Sequence, residues 1–214
     1  MILKLGGGSG GTIEISDAPK ITFSGTWIKW HLEFYGDVLY WEAWFLSSGT
    51  LTVEDGYSYT ADAWGIGGGG ATKWSTAAST NYGGTGGDAA KASGIELSGD
   101  VAVTIGAGAS YSSSSVQAGG TTKLGSALSC SGGSAPSSSS ASGSSGRYRF
   151  MDADHADEKG ADRTNTINSA KEKSAGGWLP LKRGSGGCEG DGFGGGGGVF
   201  GHAGQGALVV RIPA

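Results

Sequence analysis

Apolar and polar residues alternate most regularly between residues 28 and 45. The first arm of this stretch has an apolar set of Ile28, Trp30, Leu32 and Phe34 and a polar set of Lys29, His31 and Glu33. A period of two is typical of a strand with one buried face. Gly36 and Asp37 then supply a two-residue turn with glycine first, as a type II′ turn requires. The pattern therefore predicts a β-hairpin.

The two-residue turn also sets the register of this hairpin, because the loop length decides which residues face each other. The expected apolar pairs are Phe34 with Leu39, Leu32 with Trp41, Trp30 with Ala43 and Ile28 with Phe45. The apolar residues of both arms would then share one face. The expected pairs on the opposite face are His31 with Glu42, as a solvated pair, and Lys29 with Trp44, as a cation over a ring.

Beyond the hairpin, short apolar segments alternate with glycine runs. "TLTV" and "YSYTADAWGI" predict two further strands, separated by the turn residues Glu54, Asp55 and Gly56. Three blocks follow, in which "GIGGGG" precedes "VAVTIGAG", "GGTTKLGSALSCSGG" leads into a serine-rich stretch, and "GFGGGGGVFG" precedes "ALVVRI". No fixed period links these blocks, which argues against a solenoid of equal repeats.

Polar insertions interrupt the blocks at about residues 71–85, 109–118 and 134–177. Ser, Gly, Asn and Asp dominate them, so we expect loops, and loops longer than about 15 residues are commonly functional or disordered. Exposed rings among small polar residues suit the recognition of sugars or proteins. The candidate binding residues are Trp74, Tyr82, Tyr111, Arg147, Tyr148 and Trp178. The alternative is that several of these rings fold back over the glycine-rich core.

The glycine content decides what kind of core to expect. The chain of 214 residues has 45 glycines, yet it also has 7 Trp, 7 Tyr and 6 Phe, which flexible linkers lack. With 4 prolines and no Gly-X-Y period, it is not a collagen. Glycine-rich segments in the polyproline II conformation point their N–H and C=O groups outward and can bond to one another laterally. Disordered spacers are the alternative.

These patterns predict an all-β protein. It would combine an N-terminal antiparallel hairpin sheet, residues 1–56, with a glycine-rich β-sandwich containing polyglycine II helices, residues 57–214. The motif order "FLSSGTLTV…YTADAWGIGGGG…VAVTIGAG…AGGTTKLGSALSCSGG…GFGGGGG…GQGALVVRI" resembles the glycine-rich domain of bacteriophage tail fibre and tail adhesin proteins. The resemblance covers about residues 44–214.

This resemblance implies a virion protein that binds a host-surface glycan or protein through its polar loops. It also implies contacts with other virion proteins and a homo-oligomer, a trimer in most fibres, although tip adhesins of the polyglycine type can be monomers that cap a trimer. The chain would be made in the host cytoplasm without a signal peptide. The alternatives are a purely structural fibre or decoration subunit, and a cell-surface glycine-rich interaction domain.

Charge and cysteine content narrow the choice of partners. The formal net charge is −4 and no basic cluster exceeds two residues, so we expect no nucleic-acid partner. No run of about 18 apolar residues is present, so we expect no membrane insertion. Cys130 and Cys188 lie far apart without a CxxC motif, which favours buried free thiols, with a disulfide as the alternative.

No motif predicts a cofactor or an enzyme. "GIGGGG" fits the dinucleotide pattern but no helix pattern follows it, and Lys73 follows Thr72 where a P-loop needs glycine. The acidic stretch 151–162 lacks the glycine and the distal Glu of an EF-hand, so we expect a solvated loop and leave cation binding open. No His has a Ser or Cys partner in a recognisable arrangement. Glu33 and Glu42 form the single candidate carboxylate pair, and hairpin geometry explains them better.

Overall fold

The computed structural model describes residues 2–4, 12–35, 38–70, 86–110, 117–134 and 203–214. These residues form strands and turns and contain no helix, so the predicted all-β class is confirmed. The strands are β1 (Ile2–Lys4), β2 (Thr12–Glu14), β3 (Ile21–Phe23), β4 (Trp27–Tyr35), β5 (Val38–Phe45), β6 (Gly49–Val53), β7 (Tyr59–Ile66), β8 (Ala89–Leu97), β9 (Asp100–Thr104), β10 (Thr122–Leu124), β11 (Leu128–Cys130) and β12 (Ala207–Pro213).

Two five-stranded antiparallel sheets carry the fold. Sheet I has the order β11-β10-β9-β6-β3 and sheet II the order β4-β5-β12-β7-β8, while β1 and β2 pair separately. One apolar core takes side chains from both sheets, among them Leu51 and Leu124 of sheet I and Phe45 and Leu208 of sheet II. The sheets therefore form a sandwich. The expected division near residue 56 falls between β6 and β7, and both sheets contain strands from either side of it.

The β4–β5 hairpin confirms the predicted register near its tip and corrects it farther away. Phe34 faces Leu39, Leu32 faces Trp41 and His31 faces Glu42, as expected. The register then shifts, so that Ile28 faces Trp44 and not Phe45. Two residues, Lys29 and Trp30, thus lie opposite Ala43 in a β-bulge.

The bulge has a packing cause. Trp27 and Trp30 both pack against the core, although they are three residues apart and a regular strand would place them on opposite faces. Trp27 stacks on Phe45 at 5.8 Å between ring centroids and meets Trp30 edge-on at 6.4 Å. Burying two indoles on one side requires the extra residue, and Ile28, expected inside, is 47% exposed.

Among the described residues, the strands at the edges of both sheets are short or irregular. Sheet I ends in β3 and β11, of three residues each. Sheet II ends in the bulged β4 and in β8, whose pairing with β7 also shifts register beside Asp62. Short or bulged edges are poor templates for pairing with another chain. Periodicity does not predict β8, because Gly94 and the alanines interrupt the alternation of its side chains.

Candidate functional site

Six glycine-rich segments extend the sandwich at one end, and we call them together the glycine bundle. Segments 67–70, 106–109 and 131–134 follow β7, β9 and β11, and segments 86–88, 117–120 and 203–206 lead towards β8, β10 and β12. Because neighbouring strands are antiparallel, all six segments lie at the same end of the two sheets.

Segment 67–70 is at the centre of the bundle, as its backbone donors show. Gly67 N–H donates to Asp88 O at 3.0 Å, Gly68 N–H to Gly120 O at 2.9 Å and Gly69 N–H to Gly204 O at 2.9 Å. Three successive amides thus reach three different segments. The amides of a β-strand alternate between two directions, whereas a helix with three residues per turn gives three. This pattern is that of polyglycine II.

The backbone carbonyls of the central segment complete its contacts. Gly68 O accepts from Gly133 N at 2.7 Å, and Gly69 O accepts from Ala109 N at 2.9 Å. All five other segments therefore bond to 67–70 directly. The outer segments also bond to each other, through Asp88 N to Ser131 O, Gly119 N to Gly133 O, Gly120 N to Ala107 O, Ala203 N to Ala109 O and Gly206 N to Gly106 O. Most buried amides of the bundle are satisfied by backbone alone.

Close approach of the backbones explains why the positions are glycine. A Cβ built on Gly68 would overlap the carbonyl oxygen of Ala107, and one on Gly119 would overlap that of Gly68. Equivalent overlaps with backbone carbonyls occur at Gly67, Gly87, Gly106, Gly108 and Gly132. The expected lateral packing is confirmed for these segments, and the spacer alternative is wrong for them. The run Gly194–Gly198 lies outside the described residues.

The bundle also holds the points where the chain leaves and re-enters the scaffold. The chain leaves it after Gly70, Ser110 and Ser134 and returns at Gly86, Gln117 and Ala203. Several of these points are close to each other. A Cβ on Gly70 would overlap the Ser134 carbonyl, and Ala203 N donates to Ala109 O at 3.0 Å. Both ends of the first two predicted insertions and the start of the third therefore lie in the glycine bundle, whereas the end of the third, near residue 177, lies outside the described residues.

The predicted binding residues belong to the intervals between these ends. Trp74, Tyr82, Tyr111, Arg147, Tyr148 and Trp178 lie outside the described residues, as does the acidic stretch 151–162. Their roles stay predictions. The structure shows where the chain leaves and re-enters the glycine bundle, and sequence patterns could not predict how these points lie relative to each other.

A second candidate arrangement is a row of ionisable side chains on the outer face of sheet II, the face directed away from sheet I. Each residue of the row faces the next one on the neighbouring strand. His31 faces Glu42, Glu42 faces Arg211 and Arg211 faces Asp62 across four adjacent strands. Arg211 Nε donates to Glu42 Oε2 at 2.7 Å, and both side chains are 2% exposed. The indole N–H of Trp44 also donates to Glu42 Oε1, and His31 Nε2 is 3.6 Å from this oxygen. We call this row the charge ladder.

The buried Trp64 ring and the Lys91 ammonium border the ladder. The guanidinium of Arg211 lies 4.4 Å from the Trp64 ring centroid, and the Lys91 ammonium lies 4.9 Å from it. Asp62 Oδ1 accepts from Gly94 N at 3.1 Å, which satisfies an amide of the β8 bulge. The ladder thus links the central strands to both edges of sheet II.

The ladder corrects two sequence expectations. The His31–Glu42 pairing is confirmed, but Glu42 is buried and not solvated. The expected placing of Lys29 over Trp44 is wrong, because the bulge brings Ile28 opposite Trp44. The lone Arg in "ALVVRI" was a usable signal, since a charge within a buried strand needs a partner. Glu42 is the lone charge of β5 and gives the same signal.

Glu33 and Glu42, the candidate carboxylate pair, have different surroundings, since Glu33 is exposed and Glu42 is buried. Glu42 is engaged by Arg211 and Trp44, while Glu33 faces Tyr40 on the neighbouring strand. Among these residues there is no group of three His, Cys, Asp or Glu side chains placed to hold a metal ion. In the same ranges no helix is long and apolar enough to span a bilayer.

Cys130 is a free, buried thiol, as expected, whereas Cys188 lies outside the described residues. Burial raises the pKa of Cys130 to about 11, and the Asp88 carboxylate adds to the rise against a backbone hydrogen bond at Ala90. Such a thiol is unreactive at neutral pH. The Cys130 Sγ lies next to Gly65 in space that is free because glycine has no Cβ. A Cβ on Gly65 would be 2.6 Å from this sulfur.

No protein-family model matches this chain, and no curated protein matches it either.

Proposed function

We propose that this protein is a bacteriophage virion component of the tail fibre or adhesin type. It binds a molecule on the host surface through its three insertions, and it does so without catalysis. The observation that carries the proposal is that the chain leaves and re-enters the described scaffold at one glycine bundle, where backbone hydrogen bonds hold these points. A rigid scaffold that presents variable loops from one end is a common design for recognition.

The composition of the insertions supports binding at this end. Trp74 follows Gly70 by four residues, Tyr82 precedes Gly86 by four, and Tyr111 follows Ser110 directly. The covalent chain therefore tethers these three rings to the bundle. Rings that are surrounded by Ser, Gly and Asn provide rigid contact area beside adaptable hydrogen-bonding groups. A glycan or a protein on the host surface fits this chemistry.

The motif order over residues 44–214 supports the assignment to a virion, because it resembles the glycine-rich domain of phage tail fibres and adhesins. Under this proposal the chain is made in the host cytoplasm and contacts other virion proteins. It assembles as a trimer. Light scattering at micromolar concentration tests the assembly, and the mass of a single chain would refute the trimer and leave the monomeric tip adhesin.

Adsorption of the purified protein to a panel of bacterial strains tests the binding function. We expect adsorption to some strains and its loss when residues 137–175 are replaced by a short Gly-Ser linker. Lys123→Gln, an exposed change on β10, is the matched control and should adsorb like the parent. If no strain adsorbs the parent protein, or if the replacement adsorbs equally well, the purely structural virion subunit is the better account.

A further inference from the structure

The end of the sandwich opposite the glycine bundle carries exposed apolar side chains. Phe34 is 44% exposed, Val38 48% and Tyr57 46%, and the single other large apolar residue of this kind among the described residues is Ile28. Phe34 and Val38 flank the tip of the β4–β5 hairpin, and Tyr57 lies in the turn before β7. We call this end the hairpin pole.

Strand register places these residues at the same end. Pro213 at the end of β12 faces Tyr40 near the start of β5, and Arg211 faces Asp62 near the start of β7. The starts of β5 and β7 therefore adjoin the last residues of β12, whereas the first residues of β12 follow the bundle. Exposed apolar groups that collect at one end of a domain mark an interaction surface more often than scattered ones do.

The aromatic part of the pole is held in place. Tyr57 stacks on Tyr59 with 6.4 Å between ring centroids and an interplanar angle of 7°. The Tyr59 hydroxyl accepts from the backbone N–H of Lys20 at 2.7 Å, which ties the stacked pair to the chain before β3. A ring that is exposed yet already ordered loses little conformational entropy when it is covered.

The charges around the pole decide what kind of partner fits. The turns and strand ends there expose the carboxylates of Asp17, Glu33, Glu54, Asp55 and Glu96, and Lys20 is the cation among them. Within the described residues none of these carboxylates has a cation within 4.0 Å, since the ion pairs of that part of the chain both involve Glu42. These exposed carboxylates oppose a second copy of the same pole, anionic lipid and nucleic acid.

We propose that the hairpin pole docks on a basic protein surface that contacts Tyr57 and, on opposite faces of the hairpin, Phe34 and Val38. The exposed carboxylates at the same end complement the charge of the partner. This proposal rests on the described surface and is independent of the function of the insertions. The binding face for a partner protein is then at the end of the sandwich opposite the glycine bundle, from which the insertions start.

Surface plasmon resonance with the full chain tests this docking, with an immobilised ten-residue peptide of alternating Lys and Leu as the probe. We expect binding that weakens as salt rises from about 50 to 300 mM, because charge complementarity is screened. Phe34→Ser and Tyr57→Ser should each weaken binding at least about fivefold, as anchors at an interface do. A Glu-Leu peptide of the same length should not bind.

The matched control is Ile28→Ser, since Ile28 is equally exposed on the same strand but lies away from the pole. It should bind like the parent, and near-ultraviolet circular dichroism should show that all variants are folded. Equal weakening by Ile28→Ser would mean that the probe pairs along the β4 edge, and unchanged binding by Phe34→Ser would remove the pole as the site. Light scattering that shows dimers sensitive to Phe34→Ser would identify a second copy as the occupant and overturn the proposal.

Discussion

Arg211 Nε donates to Glu42 Oε2 at 2.7 Å, and this contact joins residues 169 positions apart in the chain. It joins β12 to β5, one of the two strands that flank β12 in sheet II. A slip of β12 by one residue would turn Arg211 into the apolar core between the sheets. The pair therefore specifies the register in which the end of the chain closes the sandwich.

Breaking this pair should be costly, because the remaining charge would stay buried. We expect Arg211→Met to lower the free energy of unfolding by about 3 to 5 kcal/mol. The double variant Glu42→Leu with Arg211→Met should lose much less than the sum of the single changes. Urea unfolding of the four proteins in a double-mutant cycle measures this coupling. Additive losses would show that the contact does not couple the two strands.

Replacing a glycine of the bundle should destabilise the fold through the backbone. A Cβ on Gly68 would overlap the carbonyl oxygen of Ala107, so Gly68→Ala should cost about 3 kcal/mol or more. The matched control is Gly56→Asn, since Gly56 has a φ of 86° and open space around it. Asn tolerates this conformation, so the control should lose about 1 kcal/mol or less. Equal losses from both changes would refute the close packing of the bundle.

The hairpin shows how far periodicity predicts structure. It gave the correct pairs from the tip to His31 and Glu42, because a two-residue turn and alternating side chains determine them locally. It failed beyond them, because Trp27 and Trp30 compete for the same core beside Phe45. This competition depends on the opposite sheet, which no local pattern contains.

The sequence predicts that the glycine-rich segments pack side by side, but it does not predict which segments are neighbours. Runs such as "GIGGGG" indicated lateral backbone bonding. The partners of Gly67, Gly68 and Gly69 come from segments up to 135 residues away, and side chains give no clue to them because there are none. The buried ladder was missed for a related reason, since Arg211 and Glu42 meet only when β12 inserts between distant strands.

The buried thiol predicts how stability depends on alkaline pH. The pKa of Cys130 rises from 9.0 to about 11 on folding, so between these values the unfolded chain loses the proton that the folded chain keeps. The contribution of the Cys130 thiol to the free energy of unfolding is therefore fully present below pH 9. It is lost as the pH rises towards 11, by about 2 to 3 kcal/mol in total. Cys130→Ala should remove this part of the pH dependence. Denaturant titrations of both proteins at pH 8 and pH 11 measure the difference, and parallel losses would contradict it.

The central claim is that the glycine bundle provides stability and the insertions provide binding. It is tested most directly by measuring thermal melting and adsorption to a susceptible bacterial strain on the same variants. We predict that Trp74→Ala and Tyr148→Ala melt within a few degrees of the parent and adsorb at least about tenfold more weakly, as binding hot spots do. Gly68→Ala should melt about 6 to 12 °C lower, in line with its expected loss of stability. If Trp74→Ala and Tyr148→Ala adsorb like the parent, or if they unfold at a much lower temperature than the parent, the insertions are not the binding surface that the glycine bundle presents.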